Sequence, residues 1–315
     1  MKPTMPGITG TFIDEITADI PSANWSHDDW RRELDIMKLF GIDTVIIIRG
    51  GLGRRVTFPS RALDLTHEDD LARVFFEGVQ ERGMKLFFGT YVSTLSADCW
   101  RDGAWKREFD INRAFIDEVL ERYSSYSCFV GWYLSHEVGM YDEGYVALLQ
   151  HLAAHVKSIT PDKATLISPY FMGKVLAPEG WLNPEDQAKE WDRVFSSTPG
   201  IDICAFQDAT VPLGEQGDYF AAMREVCDKH GVELWANIET FARDMMPRFS
   251  PVDFRVLRDR MLGSAPYVSK SITFEFSHFL SPQSMYPSAR NLFRRYCEYF
   301  GKDVSVFEDI LLSKE

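Results

Sequence analysis

The most restrictive feature of this sequence is a regular alternation of short apolar segments with longer segments whose apolar residues recur at helical spacing. The short segments are rich in β-branched and aromatic residues, which is typical of strands buried on both faces. They comprise residues 7–14, 44–48, 85–91, 129–134, 165–168, 201–206, 233–239 and 271–276. Strands that are separated by helices pair in parallel, because each helix returns the chain to the same end of the sheet.

Eight strand–helix units in a chain of 315 residues are typical of a closed (β/α)8 barrel. A doubly wound open sheet is the main alternative, and it usually carries a glycine-rich phosphate-binding turn after its first strand. Here the first strand runs into Asp14 and Glu15, and the glycines of residues 50–53 follow the second strand without the rest of that fingerprint. We therefore predict an α/β fold that consists of a single (β/α)8 barrel domain over residues 1–315.

Local signals predict where several helices begin and end. Ser26, with an acidic residue three positions later, has the spacing of a capping box, and Gly41 is placed to end the same helix. Asn183 followed by Pro184 predicts another helix start, since asparagine caps and proline fits the first helical turn. The glycine- and arginine-rich stretch 50–61 is predicted to be a loop.

Composition limits the classes of partner and compartment. The net charge of −13 argues against nucleic acid and anionic membranes as partners. No apolar run approaches the roughly 20 residues that a membrane span requires. The five cysteines are scattered without CxxC spacing, which predicts free thiols. Because no segment has the pattern of a signal peptide, we expect a cytoplasmic protein, while the oligomeric state stays open.

Polar residues cluster where the predicted strands end, and the active sites of such barrels form at those carboxyl ends. The residues at these positions are candidate substrate-binding or catalytic groups. They are Asp14, Glu15, Arg49, Tyr91, His136, Glu137, Tyr170, Gln207, Asp208, Asn237, Glu239, Glu275 and His278. Their concentration above otherwise apolar strands predicts a binding site at this face of the barrel.

Two of these residues, Glu137 and Glu239, end the fourth and seventh strands, which lie across the barrel mouth from each other. A carboxylate at the end of a buried strand is poorly placed to aid folding, because burial of a charge is costly. Glycoside hydrolysis uses two carboxyl groups, one that protonates the leaving oxygen and one that attacks the sugar or activates water. An ion pair or a helix cap is the structural alternative for either glutamate alone.

Five motifs give the chain a resemblance to a largely uncharacterised family of bacterial glycosidase-like barrels. They are residues 10–14 (GTFID), 131–134 (GWYL) with Glu137, 206–208 (FQD), 237–241 (NIETF) and 274–278 (FEFSH). More broadly, the pattern resembles TIM-barrel glycoside hydrolases, and this resemblance implies Glu137 as the acid/base and Glu239 as the nucleophile. The large retaining clan has Asn before its acid/base, whereas this chain has His136. An inverting mechanism, or Asp208 in place of one partner, therefore stays open.

Two other functions fit the same fold. Glu137, Asp208, Glu239 and His278, with His136, could bind Mg²⁺ or Mn²⁺ in a sugar isomerase or epimerase, although no compact HxH or HExxH spacing supports that ligand set. A non-catalytic carbohydrate-binding barrel is the other alternative. The preferred interpretation is a glycoside hydrolase that acts on a carbohydrate without a cofactor or a metal.

Overall fold

The computed structural model describes residues 5–17, 24–66, 69–242 and 249–312. Eight parallel strands close into a barrel in the order β1-β8-β7-β6-β5-β4-β3-β2. The strands are β1 (Gly10–Ile13), β2 (Thr44–Ile47), β3 (Lys85–Gly89), β4 (Phe129–Tyr133), β5 (Ala164–Ile167), β6 (Ile203–Gln207), β7 (Glu233–Glu239) and β8 (Lys270–Phe274). The predicted (β/α)8 barrel is confirmed, and the open sheet is excluded by the pairing of β1 with both β2 and β8.

Helices alternate with these strands along the chain. In the described part of the chain, seven of them follow β1 to β7 in order, and three more follow β8. They are α1 (His27–Phe40), α2 (Leu71–Glu81), α3 (Trp105–Tyr123), α4 (Glu143–Ile159), α5 (Pro184–Ser197), α6 (Gln216–His230), α7 (Phe254–Ser264), α8 (Phe276–Phe279), α9 (Pro287–Phe300) and α10 (Ser305–Leu312). Within the described residues, none of these helices has both the length and the hydrophobicity that crossing a bilayer requires.

The predicted capping signals act as expected on α1 and α5. Ser26 and Asp29 form a complete capping box, and Gly41 ends α1 in the left-handed region at φ 106°. The side chain of Asn183 accepts a hydrogen bond from the backbone N–H of Asp186, and Pro184 occupies the first turn of α5. These local contacts set the start of each helix independently of the barrel packing.

Two separate apolar cores hold the barrel together. The inner core fills the barrel with alternate strand residues, among them Phe12, Ile46, Phe87, Leu166 and Trp235. The outer core lies between the strands and the helices and takes the opposite face of each strand. All five cysteines are buried as free thiols, in agreement with the sequence prediction. The two faces of each strand are thus both apolar, which explains the continuous hydrophobic runs in the sequence.

Short strands above the barrel were not expected. Residues Gly51–Leu52 pair with Arg55–Val56 and with Tyr91–Val92, so part of the predicted 50–61 loop forms a three-stranded sheet over the ends of β2 and β3. Phe241–Ala242 pairs with Ser250–Pro251 in the same way beyond β7. These pairings bring order to the loops that surround the carboxyl ends of the barrel strands.

Candidate active site

A cavity of about 250 Å³ lies at the carboxyl ends of the barrel strands. Charged, polar and apolar side chains from β1, β6, β7 and β8, and from the segments after β1, β2, β3, β4 and β7, form its wall. The lining residues are Phe12, Asp14, Thr17, Ile48, Arg49, Leu95, Glu137, Gln207, Asn237, Glu239, Phe241, Phe249 and Phe274. The two glutamates that were predicted to share a site therefore line the same cavity.

The two-residue period of the strands explains which side chains reach the cavity. Trp235 belongs to the inner core, and Asn237 and Glu239 follow it at intervals of two along β7, so all three point inward. Phe12 and Asp14 repeat this pattern on β1. Residues one position out of phase point instead into the layer between the strands and the helices.

Glu137 has several polar neighbours in the cavity wall. Its Oε1 accepts a hydrogen bond of 2.8 Å from the hydroxyl of Tyr133, and its Oε2 accepts one of 3.1 Å from Nε2 of Gln207. A guanidinium nitrogen of Arg49 lies 3.9 Å from Oε1. The Glu137 side chain is 23% exposed, so its carboxyl group is fixed in orientation and still open to the cavity.

Tyr133 lies beneath Glu137 in the inner core. Burial raises the pKa of Tyr133 well above its usual value, and the charge of Glu137 raises it further. The phenol therefore stays protonated at physiological pH and serves as a permanent hydrogen-bond donor to Glu137. Sequence reasoning does not identify this role, since Tyr133 stands within an apolar strand.

Arg49 is the only lysine or arginine among the described residues that line the cavity. It is buried, with one guanidinium nitrogen 3.9 Å from Asp14 Oδ2 and another 3.9 Å from Glu137. Asp14 also accepts hydrogen bonds from the backbone and the hydroxyl of Thr17. Arg49 thus links the carboxyl groups of β1 and β4 on one side of the cavity.

Glu239 occupies the other side of the cavity, above the buried side chains of Asp208 and Arg260. The backbone N–H of Glu239 donates to Oδ1 of Asp208 at 3.0 Å, and Arg260 donates to the backbone carbonyl oxygens of Glu239 and Phe241. Burial raises the pKa of Asp208 to about 7, and the negative charge of Glu239 adds to this effect. The positive charge of Arg260 lowers the pKa, but by less. Asp208 therefore supports the backbone of Glu239 from behind the cavity wall.

The structure brings six of the sequence-predicted residues to the cavity. Asp14, Arg49, Glu137, Gln207, Asn237 and Glu239 all line it. The amides of Gln207 and Asn237 both use Ser168, on the carboxyl side of β5, as a partner: Gln207 donates to its carbonyl oxygen and Asn237 to its hydroxyl. Asn237 Oδ1 has no hydrogen-bond partner among the described residues.

His136 and Tyr91 do not line the cavity, in contrast to the prediction. The His136 ring is buried on the outer side of β4, where Nε2 lies 2.9 Å from Oε1 of Glu108 on α3. Tyr91 belongs to the small sheet above the barrel, and its hydroxyl donates to the carbonyl oxygen of Gly53. His136 is out of phase with the inward residue Tyr133. Tyr91 is in phase with the inward residue Phe87, but it lies beyond the end of β3 in the small sheet, where its ring packs against Phe115 of α3.

Glu275 and His278 lie behind β8 rather than in the cavity. Glu275 accepts the backbone N–H of Asp14 at 3.1 Å and contacts His278 of α8, and both side chains are buried. They follow Phe274, the inward residue that occupies the wall in their place. Asp208 is also buried outside the cavity, because it directly follows Gln207, whose side chain points inward.

Glu15 and Tyr170 are partly exposed and lie outside the set of lining residues. Glu15 directly follows the inward residue Asp14 and is therefore out of phase with it. Tyr170 forms a bridge to Gln207, and burial together with the charge of Glu137 raises the pKa of its phenol. Tyr170 therefore lies close enough to Glu137 for the charge of Glu137 to affect its pKa, although Tyr170 does not line the cavity.

Several lining residues were not predicted. Phe12, Ile48 and Phe274 are apolar, so a search for polar residues at strand ends does not find them. They nevertheless point inward at the same two-residue spacing as Asp14, Asn237 and Glu239. Thr17, Leu95 and Phe249 come from loops, whose approach to the cavity no local pattern indicates. The lining residues outside the list of strand-end candidates are Phe12, Thr17, Ile48, Leu95, Phe241, Phe249 and Phe274.

Comparison with solved structures identifies the fold type. An endo-1,4-beta-D-mannanase from Thermotoga petrophila RKU-1 matches with a TM-score of 0.61 and 11% identity, over 92% of this chain and 98% of that one. The intracellular xylanase TsXylA from Thermoanaerobacterium saccharolyticum matches with a TM-score of 0.52 and 11% identity, over 85% of each chain. At such low identity, these neighbours establish a shared TIM-barrel fold and nothing finer. No curated protein sequence matches this chain.

A much more similar structure is described as a "putative alpha-L-fucosidase" from Bacteroides thetaiotaomicron VPI-5482. It shares 36% identity and a TM-score of 0.90, over 96% of this chain and 95% of that one. The family profile for a domain of unknown function, DUF4434, matches residues 8–286. The resemblance that the motifs indicated is confirmed at the level of family and fold. The chain therefore belongs to the DUF4434 family and has the TIM-barrel architecture of its glycosidase neighbours.

Proposed function

We propose that this protein is a glycoside hydrolase that cleaves an O-glycosidic bond. The observation that carries the proposal is the convergence of Glu137 and Glu239, from β4 and β7, on one cavity at the carboxyl face of the barrel. Catalysis at a glycosidic bond needs two carboxyl groups on either side of the bond.

Each glutamate has a distinct role in the proposal. Glu137 acts as the general acid that protonates the leaving oxygen, and Tyr133 and Gln207 keep its carboxyl group directed into the cavity. Glu239 acts as the nucleophile, or as the base that activates water in an inverting reaction. The hydrogen bonds that Asp208 and Arg260 make to the backbone of Glu239 hold it in position for either role.

The remaining wall suits a sugar ring. Gln207 and Asn237 offer amide groups to hydroxyls, and the unpartnered Oδ1 of Asn237 is an acceptor for one of them. Phe241, Phe249 and other phenylalanines supply apolar surface for the carbon face of a ring. A volume of about 250 Å³ is large enough for one monosaccharide unit.

The geometry favours this function over the two alternatives. The metal-dependent isomerase required His136 and His278 to join the cavity carboxylates, yet these rings contact Glu108 and Glu275 outside the cavity. A carbohydrate-binding barrel would not need two carboxyl groups facing the same small volume. Turnover by the wild-type protein separates an enzyme from a binding protein directly.

The experiment is a screen of the purified protein against nitrophenyl glycosides and natural oligosaccharides. An alpha-L-fucoside is the first substrate to test, because the relative at 36% identity carries that description. With the substrate that is turned over, Glu137→Gln and Glu239→Gln should each lower kcat by about 10²–10⁴-fold, since an amide neither transfers a proton nor attacks carbon. Calorimetry of product binding should give affinities within a few fold of the wild type.

Glu225→Gln is the matched control, because Glu225 is exposed on α6 and lies away from the cavity. It should leave kcat unchanged. If both cavity variants keep wild-type turnover, the proposal is wrong; if the wild type binds sugars and hydrolyses none, the carbohydrate-binding alternative holds. Rescue of Glu239→Ala by azide, with formation of a glycosyl azide, would assign the nucleophile.

A further inference from the structure

A second group of chemically reactive side chains lies behind β4, outside the candidate active site. It consists of Cys99 from the loop after β3, Glu108 from α3 and His136 from the end of β4. One donor atom from each residue lies within 4.8 Å of the other two. No other such group of histidine, cysteine and carboxylate donors occurs in the described part of the chain.

The geometry of this group is close to that of a metal site. All three side chains are buried, and His136 Nε2 lies 2.9 Å from Glu108 Oε1. Ligands of a tetrahedral zinc ion stand about 2.0–2.3 Å from the metal and hence roughly 3.3–3.8 Å from one another. The donor atoms therefore need shifts of only a few tenths of an ångström to about one ångström to surround an ion.

Two further observations concern the ring of His136 and the access to this group. The buried Nδ1 of His136 has no hydrogen-bond partner among the described residues, although buried polar atoms normally have one. In addition, a cavity of about 260 Å³ reaches Cys99 and Glu108 from the side of the small sheet. This cavity gives an entry path for an ion and space for water as a fourth ligand.

We propose that Cys99, Glu108 and His136 form a binding site for a divalent transition-metal ion of the zinc class. A thiolate, an imidazole and a carboxylate are the ligands that zinc accepts, whereas magnesium and calcium prefer oxygen alone. On binding, the thiol of Cys99 loses its proton to solvent and a sulfur–metal bond forms. The His136 ring changes tautomer, so that its proton moves from Nε2 to Nδ1, and the Nε2–Glu108 hydrogen bond is replaced by coordination of Nε2 and the Glu108 carboxylate to the ion.

The site would join three separate segments of the barrel. Cys99 lies in the short 3-10 turn Ala97–Cys99, Glu108 lies in the first turns of α3, and His136 directly precedes Glu137. A bound ion would therefore fix the loop after β3 against α3 and stabilise the end of β4. This role is structural and does not depend on the proposed hydrolase activity.

The test uses the full-length protein after removal of any histidine tag. After dialysis against Zn²⁺ and then against metal-free buffer, elemental analysis should find about one zinc per chain. Titration of the apo protein with Co²⁺ should produce a sulfur-to-cobalt charge-transfer band. At about 100-fold excess over Kd, Zn²⁺ should raise Tm by roughly 4 °C.

Cys99→Ser should abolish the cobalt band and the shift in Tm, and Glu108→Gln should weaken zinc retention by at least tenfold. Cys128→Ser is the control, because Cys128 is another buried thiol, away from the group, that donates to the carbonyl oxygen of Phe76. Absence of zinc and of a cobalt band in the wild type would overturn the proposal, whether or not the variants fold. An unchanged cobalt band in Cys99→Ser would overturn it as well.

Discussion

Asp208 and Gln207 are neighbours in sequence, yet they lie on opposite sides of β6. Gln207 faces the cavity and contacts Glu137, while Asp208 is enclosed and accepts the backbone N–H of Glu239. The enclosure makes Asp208 difficult to ionise, because its carboxylate would lose hydration. Its protonation state therefore affects both the stability of the barrel and the support beneath Glu239.

We expect Asp208→Asn to remove a pH-dependent component of stability. The carboxyl pKa rises from 3.8 to about 7 on folding. The contribution of this group to the free energy of unfolding is therefore fully present below about pH 4 and is lost as the pH rises to about 7. The loss between pH 5 and 7 is about 2–3 kcal/mol in the wild type. Asparagine does not ionise and keeps an oxygen for the Glu239 N–H. Urea unfolding at pH 5 and pH 8 measures the difference.

Glu33→Gln provides the matched control for this prediction. Burial raises the pKa of Glu33 to about 7, and its carboxylate accepts hydrogen bonds from Ser281 and Gln283 far from the cavity. This variant should also reduce the pH dependence of stability, but only Asp208→Asn should change the pH profile of turnover. An unchanged stability slope in Asp208→Asn would contradict the expected state of Asp208.

The sequence predicted that residues of the strand ends form a site, but not which of two neighbours faces inward. Glu137 and His136 show the difficulty, because β4 ends at Tyr133 and the two-residue period does not continue reliably beyond a strand. On β7 the period holds to the last residue, so Asn237 and Glu239 could be assigned from Trp235 alone. Loop residues such as Phe249 reach the cavity through tertiary packing that no local pattern encodes.

At the scale of elements, the helix starts were the most predictable feature. The capping signals at Ser26 and Asn183 depend on hydrogen bonds within four residues, so the local sequence contains all the required information. The short strands Gly51–Leu52 and Tyr91–Val92 could not be predicted in this way. Their pairing joins segments some forty positions apart, and two residues are too few to show an alternating pattern.

Ser26→Ala should weaken α1 by about 1 kcal/mol, since it removes the acceptor for the Asp29 N–H and breaks the capping box. The free energy of unfolding from urea titration measures the effect. Ser125→Ala is the comparison, because Ser125 is exposed in the turn after α3 and should change stability by less than about 0.5 kcal/mol. Equal effects of the two changes would argue against the cap.

At the scale of the whole molecule, closure of the barrel depends on close approach between neighbouring strands. Gly89 ends β3, and a methyl group there would lie 2.4 Å from the carbonyl oxygen of Ile47 and 2.6 Å from that of Ile48. Real side chains do not approach backbone so closely, so the strands would have to separate. Closure itself was predictable from the count of eight units, whereas this contact was not.

Gly89→Ala should therefore lower the free energy of unfolding by about 1–3 kcal/mol, as expected for overpacking against rigid backbone. The urea midpoint should fall while the slope stays constant. Gly214→Ala serves as control, because no atom lies within 4 Å of a methyl group added at Gly214. If Gly89→Ala were as stable as the control, β2 and β3 would have to be less tightly packed than described.

Among the described residues, the cavity wall carries the carboxyl groups of Asp14, Glu137 and Glu239 and one guanidinium, that of Arg49. Even with Glu137 protonated as the proposed general acid, two carboxyl groups face this one guanidinium, so the described wall favours positive over negative charge in a region partly shielded from water. Uronic acids and sulfated or phosphorylated sugars would be repelled there. A ring that develops positive charge at its anomeric carbon and ring oxygen, as in an oxocarbenium-like transition state, would be held more tightly than the neutral ring before or after it.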